Sequence, residues 1–275
     1  MNRAEAEEDF GASTARYLVH GVTNQHPPWW GPIAGSIGFL TVIPVPHVAI
    51  SPALTARSLA LFPLIGAVIG ALLGGLGIWL DQILPAGPVA ALLIAGGAFL
   101  TGGLHLDGLM DTADGIFGGR SPEQRLTIMR DSRVGAFGVI AGGIALLGQF
   151  ACLSELTGHA RFIALVAAAT MSRWTMLVAL TIFPAARTSG IGATFHSGAT
   201  RTACIAGTLF VVLLALGSGQ FGMMALAVGI VAVLGCGHVL TRRLGGLTGD
   251  SYGAIAVVTE TVVLFVAVAL SATTE

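Results

Sequence analysis

Long uninterrupted stretches of apolar residues dominate the pattern of hydrophobic and polar positions along this chain. Seven of them approach the ~20 residues that a helix needs to cross a bilayer, and one of the seven is short. They cover residues 59–80, 88–104, 134–153, 162–183, 203–217 (the short one), 221–240 and 253–272. This pattern predicts an all-α, polytopic integral membrane protein, a helical bundle with about seven transmembrane helices.

A shorter apolar stretch, IAGSIGFLTVIPVP, precedes these segments and runs from Ile33 to Pro46. It has too few residues to span a bilayer comfortably, and its two closing prolines cannot continue a helix. We predict a half-helix or an interfacial segment here. Residues 1–30 before it are polar and acidic, so the chain divides into an N-terminal polar tail, 1–30, and a membrane-embedded domain, 31–275.

The composition supports the assignment to a lipid bilayer. Hydrophobic residues make up 54% of the chain and charged residues only 10%, whereas soluble proteins contain ~25% charged residues. The formal net charge is −1 at pH 7, and the chain has neither an extended basic tail nor a nucleic-acid-binding motif. Nucleic acid is therefore excluded as a partner.

The positive charges are distributed unevenly between the connections of the apolar segments. The chain has no lysine, so its 13 positive charges are all arginines. Alternate connections contain nine of them, and the intervening connections contain only Arg161. Because positively charged loops tend to stay in the cytoplasm, the arginine-rich connections are predicted to share the cytoplasmic side. These loops are 105–133, 184–202 and 241–252.

One of these loops concentrates negative charge in the string GGLHLDGLMDTADG, residues 102–115. Asp107, Asp111 and Asp114 are four and three residues apart, which places their carboxylates along one face of a helix. Like charges at this spacing repel, and a hard cation such as magnesium, which prefers carboxylate oxygen, would offset the repulsion. The sequence therefore predicts a magnesium site, with a solvated acidic helix at the membrane edge as the alternative.

His105 lies two residues before the first aspartate. On a regular helix this position points away from the carboxylate face, although the residue could also belong to the preceding loop. An imidazole has a suitable ordinary pKa for a general base. A structural histidine that only makes hydrogen bonds is an equal alternative.

Four arginines are candidates for binding phosphate, because the planar guanidinium group suits that task. Arg125, Arg130 and Arg133 belong to a predicted short helix whose start is marked by Ser121 and Pro122, as expected of a cap and a first helical residue. Their alternative role is to anchor the cytoplasmic side. Arg173 lies inside an apolar segment, where it needs either an acidic partner or an anionic substrate group.

The string RRLGGLTGDSYGA, residues 242–254, combines arginines, a glycine-rich turn and an acid. Arg242, Gly249 and Asp250 are its candidate substrate-binding residues, because a glycine-rich backbone can approach phosphate closely. Clustered acids, a hard metal and arginines on one side of a membrane favour transfer of a phosphorus centre from a nucleotide-activated donor, since that chemistry depends on orientation and charge neutralisation.

Three strings occur in the order GGLHLDGLMDTADGIFGG, IMRDSRVGAFG and GGLTGDSYGA. Together with FLTVIPVP, LFPLIGAVIGALLG and the Ser172–Arg173 pair, they resemble the cobalamin synthase family, the adenosylcobinamide-GDP ribazoletransferases, from about Gly38 to Leu270. The resemblance implies a magnesium-dependent integral membrane enzyme. Together with the distribution of arginines, it predicts a protein of the inner membrane whose active site faces the cytoplasm. Its reaction joins adenosylcobinamide-GDP to alpha-ribazole, or to its 5′-phosphate, and forms adenosylcobalamin, or its phosphate, and GMP.

The resemblance also supports roles for the positions named above. The three aspartates of the acidic string would hold magnesium against the diphosphate, with Asp250 as a further ligand. Arg130, Arg133 and Arg173 would steady phosphate charge. His105 or one of the aspartates, Asp107 or Asp111 among them, would accept the proton of the attacking hydroxyl.

Two positions depart from the family pattern. Val42 stands where the family commonly has an arginine, so this position cannot bind an anion. Val257 stands where many members have an acid, three residues before Glu260. Glu260 is therefore expected to act alone or as a structural partner within the membrane.

Two other classes of protein share some of these features. The CDP-alcohol phosphotransferases also use membrane aspartates, but their Ala-Arg element is missing here. A cation-coupled transporter would show matching features in two halves, and the aspartate string has no second copy. The sequence leaves open whether alpha-ribazole is free or phosphorylated, which residue is the base, and whether the chain forms a homo-oligomer.

Overall fold

The computed structural model describes residues 28–48, 51–187 and 191–272. Within these ranges the chain forms eleven helices and no extended strand, which confirms the predicted all-α class. The helices are α1 (Gly31–Leu40), α2 (Pro52–Leu80), α3 (Ala86–Thr101), α4 (Leu104–Gly118), α5 (Pro122–Ile128), α6 (Ala136–Glu155), α7 (Gly158–Ile182), α8 (Ile191–Gly198), α9 (Arg201–Gly217), α10 (Gly219–Leu244) and α11 (Gly249–Ser271). Almost all of the predicted polar tail lies outside the described residues.

Five helices, α2, α6, α7, α10 and α11, are long and apolar enough to cross a membrane. The pair α3 and α4 adds a sixth span if the two helices are taken together, although they meet at an angle of 89°. Helix α9 has 17 residues, fewer than a comfortable span needs. The predicted count of seven is therefore not confirmed, whereas the polytopic membrane bundle is.

The bend between α3 and α4 has a local cause. Gly102 and Gly103 have φ values of +62° and +69°, in the left-handed region that side chains disfavour. The apolar segment predicted over 88–104 therefore stops at Thr101, and the acidic string begins a new helix. The bend turns this helix nearly perpendicular to α3.

The short N-terminal helix confirms the predicted half-helix. Helix α1 ends at Leu40, and the chain continues without helical structure towards Pro44 and Pro46. The backbone N–H of Val42 donates to the carbonyl of Leu100, 2.9 Å away. This bond fixes the segment after α1 against the end of α3, beside the bend.

The core of the bundle is built around α7, the most deeply buried of the five long helices. Gly66, Gly70 and Gly74 recur every four residues along α2, and a Cβ atom at any of them would collide with α7. Small residues at this spacing let two helices approach closely in a membrane. The glycines of LFPLIGAVIGALLG thus serve helix packing.

Contacts hold the connections of the bundle together at its two ends. At one end Arg161 Nη1 binds Asp81 Oδ1 at 2.6 Å, joining the connection after α2 to the start of α7. At the other, Arg187 donates to the carbonyl of Leu126, and Arg125 donates to the carbonyl of Arg243. These bonds group the arginine-rich loops as the sequence predicts.

Candidate functional site

The acidic helix α4 lies against the first turns of α11. A Cβ atom at Gly108 would be 2.8 Å from the backbone carbonyl oxygen of Asp250, closer than real Cβ atoms come. The glycine in the string DGLMD therefore permits the close approach of the two helices. As a result, Asp250 joins Asp107 and Asp111, although more than a hundred residues separate them in the sequence.

The carboxylates of this region are electrostatic neighbours. Asp111 interacts with the negative charges of Asp107, Asp250 and Asp114, and Asp107 is exposed while Asp111 and Asp250 are partly buried. Within the described ranges, no three acidic, histidine or cysteine side chains are placed to hold a metal ion by themselves. A cation bound to this acidic cluster, Asp107, Asp111 and Asp250, needs further ligands besides these carboxylates.

Asp114 has a different environment from the other two aspartates of α4. Its carboxylate is buried and accepts the backbone N–H groups of Gly135 at 2.7 Å and of Gly138 at 2.8 Å. These groups lie at the start of α6, so Asp114 satisfies donors that the helix cannot satisfy itself. The contacts give Asp114 a structural role and do not support its prediction as a metal ligand.

The sequence did not single out Arg187, although the structure places its positive side chain near Asp250. It interacts electrostatically with Asp250 and Arg130, and burial lowers the pKa of its guanidinium, which the charge of Asp250 opposes. Its Nε is buried and has no hydrogen-bond partner among the described residues. Its only sequence signal was its place in an arginine-rich loop.

The glycine-rich turn before α11 positions Arg187. Gly245, with φ +81°, ends α10. The backbone N–H of Leu247 then donates to the carbonyl of Pro184, and the N–H of Ala186 donates to the carbonyl of Leu247. Both bonds are 2.8 Å long. This pairing fixes the end of the connection after α7, where Arg187 lies, against the start of α11.

The start of α11 lies beside the acidic cluster, because Asp250 belongs to its first turn. Thr248 caps the helix by accepting the backbone N–H of Ser251. Gly249, the first helical residue, is exposed, and Gly192 of α8 lies next to its backbone nitrogen. A helix N-terminus favours anions such as phosphate. Arg242, another candidate for this task, is exposed on the last turn of α10.

The two arginines after α5 differ in their partners. Arg133 is largely exposed and binds Asp131 with two hydrogen bonds, of 2.7 and 3.0 Å. These bonds hold the pKa of Asp131 at about 2. Arg130 is exposed and close enough to Arg187 for their charges to interact. The geometry thus places Arg130 near Arg187, whereas the guanidinium of Arg133 is occupied by Asp131.

His105 and Arg173 lie deeper in the bundle. Arg173 is buried, and its Nη1 binds Glu260 Oε2 at 3.0 Å, so of the two partners that the sequence left open the structure shows an acid. His105 is buried and lines a cavity together with these two residues. The structure therefore separates both residues from the carboxylate face, as the helical position of His105 predicts.

Comparison with known proteins adds independent information. Residues 32–268 match the family described as cobalamin-5-phosphate synthase. A protein of Roseiflexus is 40% identical over 88% of this chain and 92% of its own, and one of Desulforamulus reducens is 40% identical over 84% and 93%. A protein of Escherichia coli O127:H6 is 38% identical over 79% and 91%. All three are named adenosylcobinamide-GDP ribazoletransferase, and no solved structure matches the chain. The chain therefore belongs to the cobalamin-5-phosphate synthase family.

Proposed function

We propose that the protein joins adenosylcobinamide-GDP to alpha-ribazole, or to its 5′-phosphate, and releases GMP. The observation that carries this proposal is the meeting of the acidic cluster, Arg187 and the N-terminus of α11 at one end of the bundle. Such a site suits a diphosphate substrate, because it offers both cation-binding oxygens and anion-binding donors. The two alternatives considered from the sequence, a lipid synthase and a transporter, have no comparable support.

The reaction is a displacement at phosphorus. The hydroxyl oxygen of alpha-ribazole attacks the phosphorus attached to cobinamide, and a new P–O bond forms. The P–O bond to GMP breaks, and GMP leaves with the electron pair while the hydroxyl gives up its proton. Catalysis of this kind depends on alignment of the two substrates and on neutralisation of phosphate charge.

Magnesium fits the chemistry of the acidic cluster. This ion is bound by one or two carboxylates and keeps waters and substrate phosphates as its other ligands, which agrees with a cluster that cannot hold a metal by itself. Two carboxylates of the acidic cluster would hold it, and Asp114, which accepts two backbone N–H groups, would not. When bound, it would neutralise the charge that develops on the diphosphate.

Three groups of the chain would bind the phosphate oxygens. The unpartnered Nε of Arg187 is a donor, the exposed N-terminus of α11 at Gly249 adds backbone donors, and Arg130 brings a further positive charge. Arg242 lies on the last turn before this region. These positive groups beside the acidic cluster would hold the diphosphate across the cation.

The proton of the attacking hydroxyl would pass to an aspartate of the acidic cluster. His105 is buried with Arg173 and Glu260 around a separate cavity, so its ring does not share the carboxylate face. Asp111 is the member of the cluster that interacts with all its acidic neighbours. Since nucleotides are cytoplasmic and arginine-rich loops tend to stay inside, the site would face the cytoplasm from the inner membrane.

The direct test is GMP release by the purified protein in lipid nanodiscs, supplied with adenosylcobinamide-GDP and alpha-ribazole. We expect release with magnesium and none after chelation. Asp111→Asn should lower the rate by about 10²–10³-fold, as loss of a charge-stabilising group does. Glu123→Gln, which neutralises an exposed acid on α5, should leave the rate unchanged. Absence of GMP from folded wild-type protein would refute the proposal.

A further inference from the structure

A cavity of about 80 Å³ lies inside the bundle, apart from the acidic cluster. Side chains of α2, α3, α4, α6, α7 and α11 line it, and most of them are apolar. Its volume is several times the ~10–15 Å³ that one water molecule needs. The polar side chains of the lining are Thr101, His105, Gln149, Arg173 and Glu260.

Two of these polar side chains have unmet hydrogen-bonding atoms. His105 is 6% exposed and Arg173 is 3% exposed, and neither His105 Nε2 nor Arg173 Nε has a hydrogen-bond partner among the described residues. Leaving a buried polar atom unpaired costs about 1–3 kcal/mol, so such atoms are rare in native proteins. Two beside one cavity indicate that a polar group binds there.

The charges around the cavity indicate what kind of group it is. Arg173 already binds Glu260 at 3.0 Å, so the pair is neutral. Because the pair has no net charge, it favours neither an anion nor a cation, and an uncharged polar group matches it best. Such a group needs an acceptor for Arg173 Nε, which can only donate.

Glu260 adds a second requirement. Its side chain lines the cavity and is 29% exposed although it belongs to the middle of α11, and the cavity itself is not enclosed. A carboxylate only accepts hydrogen bonds, and a donor on the same group would therefore pair with it. A primary carboxamide, with one carbonyl oxygen and two N–H bonds, satisfies both requirements.

The cavity lies next to the proposed phosphate site. Asp250 and Glu260 belong to the same helix, ten residues or about 15 Å apart along its axis. His105 lies two residues before Asp107 on α4, and its backbone contacts Gly253 of α11. A substrate whose diphosphate binds at the acidic cluster can thus extend a side group into the cavity.

We propose that this cavity binds a side-chain carboxamide of the corrinoid half of adenosylcobinamide-GDP, with His105, Arg173 and Glu260 as binding residues. This inference rests on the proposed function, because it takes the corrinoid as the substrate. It assigns the buried ion pair and His105 to recognition of the amide-bearing corrinoid. The phosphate chemistry stays with the acidic cluster.

The first test uses cobinamide, which lacks the nucleotide and therefore does not need the phosphate site. Its affinity for the protein in nanodiscs can be measured by equilibrium dialysis. His105→Phe keeps a ring of similar size but removes the hydrogen bond, and should weaken binding about tenfold. His159→Phe, at an exposed histidine on the first turn of α7, should not change the affinity.

The second test changes the charge of both partners. Cobinamide monocarboxylates, in which one side-chain amide is hydrolysed to an acid, form a set of probes. The acid at the bound position should weaken binding to the wild type because Glu260 repels it. Glu260→Gln frees Arg173 and should reverse this preference. The reversal is a gain of binding, which a merely damaged protein cannot produce.

The outcomes separate this inference from the proposed function. If the wild type releases GMP, but His105→Phe does not change the affinity for cobinamide and Glu260→Gln does not change the preference among the probes, the carboxamide site alone is overturned. Such a cavity would hold only water. Wild-type protein that binds no cobinamide would also overturn it, whereas absence of GMP release would refute the proposed function.

Discussion

At the scale of single residues, the aspartates of α4 differ in what surrounds them. Asp107 and Asp111 belong to the acidic cluster, whereas Asp114 accepts two backbone N–H groups at the start of α6. The same residue type on the same helix face therefore serves two purposes. One pair of carboxylates is available to a cation, and the third holds two helices together.

This difference predicts opposite effects of the same substitution. Asp114→Asn replaces one accepting oxygen with an N–H₂ group that faces a backbone donor, so a buried N–H is left unpaired. We expect a loss of about 1–3 kcal/mol in the free energy of unfolding. Asp111→Asn relieves repulsion between carboxylates and should not destabilise the protein. Thermal unfolding in nanodiscs measures both, and equal melting temperatures for the two variants would contradict the assignment.

The sequence reveals the face of α4 but not these partners. A spacing of four and three residues puts three carboxylates on one side of any helix, and that prediction concerns α4 alone. The donors of Gly135 and Gly138 reach Asp114 only after α6 packs against α4. Similarly, the sequence does not show which arginine lies near Asp250. The structure places Arg187 there, whereas the guanidinium of Arg133 binds Asp131.

At the scale of helices, hydrophobicity predicts that a helix exists better than it predicts the length or the direction of that helix. The apolar stretches located all five long helices, because twenty apolar residues have few other stable structures in a bilayer. The glycines in and beside the acidic string predict a bend or a close backbone approach there, but not which of them provides it. The chain contains 39 glycines, and which of them adopt positive φ depends on packing, as at Gly102 and Gly103.

Gly108 is the helical position on which assembly of the acidic cluster depends. In Gly108→Ala the added Cβ would meet the backbone of Asp250 at 2.8 to 3.0 Å, so α4 and α11 must separate. GMP release should fall at least tenfold although every aspartate is retained, since small displacements in a catalytic site are costly.

The matched control for this substitution is Gly143→Ala in α6, where an added Cβ meets nothing within 4 Å. It should keep full activity and gain up to ~1 kcal/mol in stability, because alanine favours helix over glycine. Full activity of Gly108→Ala would show that close contact between α4 and α11 is not needed for transfer.

At the scale of the whole molecule, the two ends of the bundle differ in charge. Nine arginines occur at the end that contains the acidic cluster, in or beside its connections. At the opposite end, Arg161 is buried against Asp81 and also donates to the carbonyls of Leu153 and Leu156. The one arginine that departs from the alternating pattern is thus a packed side chain, and its charge is already neutralised.

This asymmetry predicts the orientation of the protein in the membrane. Single cysteines can be placed at exposed positions of the two ends, Ser132 and Gln82, in a variant whose three native cysteines are replaced by alanine. A membrane-impermeant maleimide should label Gln82→Cys in intact spheroplasts. Ser132→Cys should be labelled only after the membrane is permeabilised, because arginine-rich loops stay in the cytoplasm.

The orientation decides which pool of nucleotide the site can use. With Ser132 inside, the GMP released in the proposed reaction would enter the cytoplasm, which holds the nucleotide pool. Labelling of Ser132→Cys from outside, with Gln82→Cys protected, would place the acidic cluster on the wrong side for that supply. The charge distribution would then have to be explained by phosphate binding alone, since the tendency of arginine loops to stay inside would not apply.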